Sequence, residues 1–183
     1  MKKIILLVLM ALLMVSMLTV ALADTHGLAV ITTFGAVKNA EIKDGEMYEG
    51  VAPIDSVSCS VVLDDNGLIK SVRFDVVQPR IKFDVEGKLI EGDYTTAIPS
   101  KIDKGDAYGM IKASPIGKEW FEQIAAFEEY CIGKTVDEIA NMPTKNANED
   151  HPSVPDVADL TATVTMNVSE FIEVLVKAAS LAK

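Results

Sequence analysis

Residues 56–77 read Ser-Val-Ser-Cys-Ser-Val-Val-Leu-Asp-Asp-Asn-Gly-Leu-Ile-Lys-Ser-Val-Arg-Phe-Asp-Val-Val. Polar and apolar residues alternate from Ser56 to Leu63. The alternation resumes from Leu68 to Val77 through Val72, Phe74 and Val76. A period of two is that of a strand with one buried face, and Asn66-Gly67 between two such runs is a strong short-range signal for a β-hairpin. The acids of Asp64 to Gly67 lie next to a glycine, as in a calcium loop. An EF-hand, however, needs oxygen ligands over twelve residues and a closing glutamate, and strand residues Val72 to Asp75 stand there instead. The segment reads as a turn.

Upstream of this hairpin, Leu28 to Phe34 reads as a first strand ended by Gly35, and the polar stretch from Lys38 to Gly50 as a loop. Downstream, Pro79 interrupts the pattern. A strand from Ile81 to Val85 follows, closed by Glu86-Gly87, with Lys88 to Ile90 pairing back. The simplest arrangement is an antiparallel meander.

After Pro99 the periodicity changes. Ser114 and Pro115 suit the cap and first position of a helix on which Trp120, Ile124, Phe127 and Cys131 recur along one face, with Gly133 ending it. Thr135 and Glu138 form a capping box that opens a second, short helix to about Asn141, and Pro143 stops that helix. Thr144 to Asp156 reads as a surface connector. Leu160, Ala162, Val164 and Met166 alternate with Thr161, Thr163 and Thr165, which predicts one more strand. Asn167 with Glu170 resembles a further capping box, opening a terminal helix with Phe171, Ile172, Leu175, Val176 and Ala179 inward. Most strands come first and most helices later, so the fold class is α+β, with an antiparallel meander sheet and C-terminal helices.

The chain begins with Lys2 and Lys3, an uncharged, mostly apolar run from Ile4 to Val20, and Ala21-Leu22-Ala23. That is the pattern of a secretory signal peptide over residues 1–23, leaving a single domain over 24–183 that begins at Asp24. The expected location is secreted or extracytoplasmic, at the cell envelope. The alternative is an uncleaved anchor, since about 20 apolar residues can span a bilayer; membrane association is expected only in that case. The whole chain carries a formal charge of -10, and losing two lysines makes the remainder more acidic still. Such a surface repels phosphate backbones, and nucleic acid is not an expected partner.

Cys59 and Cys131, the two thiols, both fall on predicted core faces. Export permits a disulfide between them, and burial as small hydrophobes explains them equally well. The acids Asp103, Asp106, Glu119, Glu122, Glu128 and Glu129 include no pair placed across a substrate. His26 and His151 lack ligand-spaced partners, so no metal site is expected, and there is no Gly-x-Ser-x-Gly elbow. No residue set demands catalysis. Two features are consistent with a ligand. Thr161, Thr163 and Thr165, just before a capped helix start, suit an oxyanion such as a phosphate, although a threonine-rich outer strand face explains them as well. Tyr108-Gly109-Met110 places an aromatic ring and a thioether in a loop that suits either the cover of a flat ring or a plug over the core.

The hairpin from Ser60 to Asp75, followed by Asp159-Leu160-Thr161-Ala162-Thr163-Val164-Thr165 and a final helix, resembles the small extracytoplasmic FMN-binding domains of bacterial membrane and surface redox proteins. The segments 105–110, 116–123, 133–135 and 159–165 resemble, over most of the chain after residue 23, exported FMN-binding-domain-like proteins of anaerobic Gram-positive bacteria, for which no activity is established. Covalent attachment in the flavin family uses the threonine of Asp-x-x-Ser-Gly-Ala-Thr. Here Ala162-Thr163 match its end, while Thr161 replaces the glycine, Leu160 the serine and Val157 the aspartate. The resemblance therefore implies either noncovalent FMN, with Thr161, Thr163 and Thr165 at the phosphate and Tyr108 and Met110 beside the ring, or a fold that has lost its flavin. The corresponding roles are a redox-accessory or electron-transfer module, or a noncatalytic module that contacts another envelope protein.

Overall fold

A computed structural model describes residues 23–183 apart from 91, 93, 94 and 150. The signal peptide expected over residues 1–23 lies outside the described residues except for Ala23. The fold is α+β. Strand β1 (Thr25–Phe34) pairs antiparallel with the long β4 (Gly50–Leu63), and β4 pairs on its other side with β5 (Ile69–Val77) and then β6 (Arg80–Phe83). β5 and β6 keep one register along β4, so they are a single partner strand broken at Gln78-Pro79. Pro79 has no N–H for the ladder, and its carbonyl accepts from Ile54 N at 3.0 Å. Lys88 to Ile90 folds back on β6, with Ile90 N donating to the Lys82 carbonyl and Phe83 bridged to Leu89.

The predicted hairpin forms, and its turn is the one its residues favour. Asp64 Oδ1 accepts from the backbone of Asn66 and Leu68, and Gly67 takes φ of +78°. Between β1 and β4 the structure corrects the reading of a loop. A second hairpin joins β2 (Glu41–Lys43) to β3 (Glu46–Tyr48) around Asp44 and Gly45, whose φ values are +55° and +82°. Two left-handed residues make the tight turn that suits strand twist, and Asp-Gly is a favoured pair for it.

One face of the sheet carries the core. Ala29, Val57, Cys59, Val61, Val72, Phe74 and Val76 are buried against Trp120, Ile124, Phe127 and Cys131 of helix α2 (Trp120–Cys131) and Phe171, Val174, Leu175 and Ala178 of helix α4 (Ser169–Ser180). The rings of Phe127 and Phe171 meet Phe74 at 5.8 and 5.5 Å between centroids. At Gly27 the backbones of β1 and α4 approach so closely that a Cβ would collide with the Ala178 carbonyl. Cys59 and Cys131 are free thiols, and burial pushes each up to about 12.

Helix positions depart from expectation in two places. Ser100 caps an unforeseen helix α1 (Lys101–Lys104), followed by 3-10 turns over Gly105–Tyr108 and Met110–Lys112. Helix α2 spans Trp120–Cys131 and starts after Glu119, not at Pro115. The left-handed Gly117 (φ +63°) closes a turn onto the Ser114 carbonyl and so prevents a helix from running through. Helix α3 (Val136–Ala140) has the Thr135–Glu138 capping box as read. The segment 144–156 holds two short strands, β7 (Thr144–Lys145) and β8 (Val154–Pro155), paired to each other, with Val154 and Pro155 buried.

The strand expected over 160–166 does not form. Leu160 N and Thr161 N donate to the Val157 carbonyl and Val164 N to that of Leu160, so the segment coils in successive turns. Leu160, Val164 and Val168 are buried at four-residue spacing, which the alternating pattern contained as well. Helix α4 (Ser169–Ser180) follows without the Asn167–Glu170 box: Asn167 Oδ1 instead accepts from Ser169 N and Oγ. Its buried line is Phe171, Val174, Leu175 and Ala178, and Val176, read as inward, is exposed.

Candidate functional site

A cleft of about 520 Å³ opens between the Met110 to Pro115 loop, the β7–β8 hairpin and the turns before α4. Its apolar walls come from Met110, Ala113, Pro115, Val154, Pro155, Val164 and Met166, and its polar lining from Gln123, Lys145, Asn148, His151, Thr161 and Thr165. This is the size and character of a cofactor or small-ligand site.

Two carboxylate or amide groups build the cleft from inside. Glu119, at the start of α2, is buried, and its side chain accepts from Met110 N at 2.8 Å and Ile111 N at 3.0 Å, which fixes the loop that presents Met110. Gln123, fully buried one turn further on, lies at the floor. Its Oε1 accepts from Thr165 N (2.9 Å) and Thr165 Oγ1 (3.3 Å), while its Nε2 donates to Ser114 Oγ and the Lys118 carbonyl. One amide thus ties α2 to both walls. At the rim, Lys145 Nζ pairs with Asp156 Oδ1 at 2.9 Å, and His151 Nδ1 lies 3.0 Å from Asn148 Oδ1.

Of the residues read from sequence, Met110, Thr161 and Thr165 line this cleft, and Tyr108 and Thr163 do not. Tyr108 is half-buried against the core, its hydroxyl donating to Gln78 Oε1 at 3.4 Å, with Lys101 4.9 Å and Lys104 5.9 Å from its ring centre. Burial holds its hydroxyl above the ordinary range. The threonine hydroxyls point back to their own chain: Thr161 donates to the Ala158 carbonyl, Thr163 to those of Asp159 and Leu160, and Thr165 to Gln123. Local bonds of this kind compete with strand formation, and they also occupy the protons a phosphate would accept. Glu119, Gln123, Lys145 and His151 carry the cleft and were not singled out for it. The visible signal was Gln123, a polar residue in helical step with Trp120 and Phe127.

Among the described residues no group of three His, Cys, Asp or Glu could hold a metal, and no described helix is long and apolar enough to cross a membrane.

No family model and no solved structure matches the chain. It is similar to a chlorophenol reductase of Desulfitobacterium hafniense, with 33% identity over 112 residues that cover 46% of this chain and 34% of the relative. The chain thus spans about a third of the length of that curated relative.

Proposed function

We propose that this is an exported envelope protein that binds FMN noncovalently in the cleft and serves as a redox-accessory or electron-transfer module. The observation that carries the reading is that cleft: Met110 is brought against Thr161 and Thr165, about fifty residues later in the chain, in a largely apolar space of about 520 Å³. The partial similarity to a protein named as a reductase supports a redox association. The apolar walls fit a flat ring. Lys145 at the rim fits an anionic group better than the threonine hydroxyls do, because each hydroxyl has a single proton that is donated elsewhere, whereas the ammonium has three and its bond to Asp156 uses one. When bound, the flavin would supply the electron chemistry, and the protein would orient it and set its surroundings. Glu119 and Gln123 hold the walls at fixed separation.

The occupied threonine protons favour a second reading, in which the module keeps this architecture without flavin and contacts another envelope protein. Thermal-shift and fluorescence titration with FMN, riboflavin and FAD separates the two. Stabilisation by FMN, weakened in Lys145→Glu while riboflavin is unaffected, supports the first; no shift with any flavin supports the second.

A further inference from the structure

We infer that the β2–β3 hairpin is a self-association surface, joining two copies of this chain through their β2 edges. All six of its strand residues are exposed, and Ile42, Met47 and Tyr48 are 66, 51 and 42% exposed. An isolated two-stranded hairpin is marginal in water, and an open apolar edge is a template for another strand. Among the described residues, the two outer edges of the main sheet are each partly covered. Along β5, the Glu128 carboxylate accepts from Phe74 N and that of Asp75 from Val76 N and Ile102 N. Along β1, His26 exchanges backbone bonds with Lys183, and Lys177 covers the Val30 carbonyl. Among the described residues no such cover exists on β2.

Geometry and charge select a second copy as the occupant. Lys43 and Glu46 flank a two-residue turn and so form a hydrogen-bonded pair; the next pair, Ile42 with Met47, is of the other kind, with the Ile42 N–H and C=O pointing outward. Antiparallel pairing of β2 with its own copy about Ile42 lets the two Ile42 residues exchange both backbone bonds. It sets Glu41 opposite Lys43 of the second copy twice, and it places Met47, Ile42, Ile42 and Met47 in one apolar row across four strands. Neither Glu41 nor Lys43 has an ion-pair partner in the described residues, so both are available. The β3 edge lacks this match, because self-pairing about Met47 sets Glu46 opposite Tyr48. An interface of this kind is isologous and closes as a dimer.

Sedimentation equilibrium on protein recovered after expression of the whole chain tests this. The expected result is a reversible dimer that dissociates on dilution. Glu41→Lys and Lys43→Glu each set like charges in opposition twice and weaken the dimer by about tenfold or more, with the melting temperature of the dissociated protein unchanged. A mixture of the two variants forms a heterodimer, and the double exchange within one chain restores the homodimer. A protein that stays monomeric at the highest attainable concentration, or a dimer indifferent to both charge reversals, overturns the proposal.

Discussion

Lys101 holds its ammonium in a largely buried, aromatic setting. Its ammonium lies 4.9 Å from the ring centre of Tyr108 and 5.2 Å from that of Trp120, and burial lowers it to about 8, against the pull of Asp55 and Glu170. The folded protein therefore binds fewer protons at this site than the unfolded chain between about 8 and the ordinary 10.5. Stability gained from this group rises with pH across that window. The buried thiols Cys59 and Cys131 act in the opposite sense above about 9 and are common to parent and variant, so the melting temperature of the parent minus that of Lys101→Gln should increase with pH across the window; measurements from pH 7 to 10.5 on both proteins check this. Glu128 shifts in the opposite sense for a carboxyl. Burial raises it above its usual value, while bonds from Phe74 N and Arg73 pull it back. Because a raised carboxyl favours the protonated folded form, its contribution is present below the unfolded value and declines as pH climbs through the folded one. At neutral pH its use lies in the Phe74 N–H that it covers, and Glu128→Ala leaves that donor orphaned. Denaturant unfolding should show a loss of about 1–3 kcal/mol.

At the scale of elements, what could be read from sequence followed how local its cause was. The 56–77 hairpin and the Thr135–Glu138 cap were legible because turn chemistry and capping act over four residues. The start of α2 was not, because Ser114-Pro115 and Glu119 both offer a helix opening and the choice falls to the left-handed Gly117 between them. Asp44-Gly45 is a local signal of the same kind as Asn66-Gly67, but the short, mostly charged runs beside it hid the strands. Residues 160–166 show the reverse failure: a period of two and a spacing of four share Leu160 and Val164, and threonine back-bonding decided for turns. The candidate site was legible only through Met110, Thr161 and Thr165, since the residues that assemble it act across the fold. Gln123 is the clearest of these. Gln123→Met keeps the volume and removes the acceptor of Thr165 N and Oγ1, so unfolding should become easier by about 1–3 kcal/mol. Restoration of the parent stability by Gln123→Glu at low pH, where a protonated carboxyl again both donates and accepts, would distinguish this amide's bonding from its packing.

For the whole molecule, the distribution of the core sets a gradient of stability. Buried apolar side chains come from Ala29, from 57–76 and from 120–178, and none from residues 35–54 or 80–90. The β2–β3 hairpin and the part of the main sheet formed by β6 and the start of β4 therefore stand beyond the helices, held by ladder bonds and exposed ion pairs such as Lys82 with Glu49. Pairs of that exposure contribute little, whereas β4 from Val57 to Val61 is covered by two helices and flanked by two strands. Local opening should thus cost far less at the hairpin tip than in the helix-backed sheet. Native-state hydrogen exchange on dilute protein should find the slowest amides within 57–62, 72–76 and the buried turns of α2 and α4, and exchange faster by several orders of magnitude within 41–48. Uniform protection along β3 and β4 would mean that the ribbon unfolds only with the core, and that its exposed isoleucine and methionine side chains add stability that their burial does not explain.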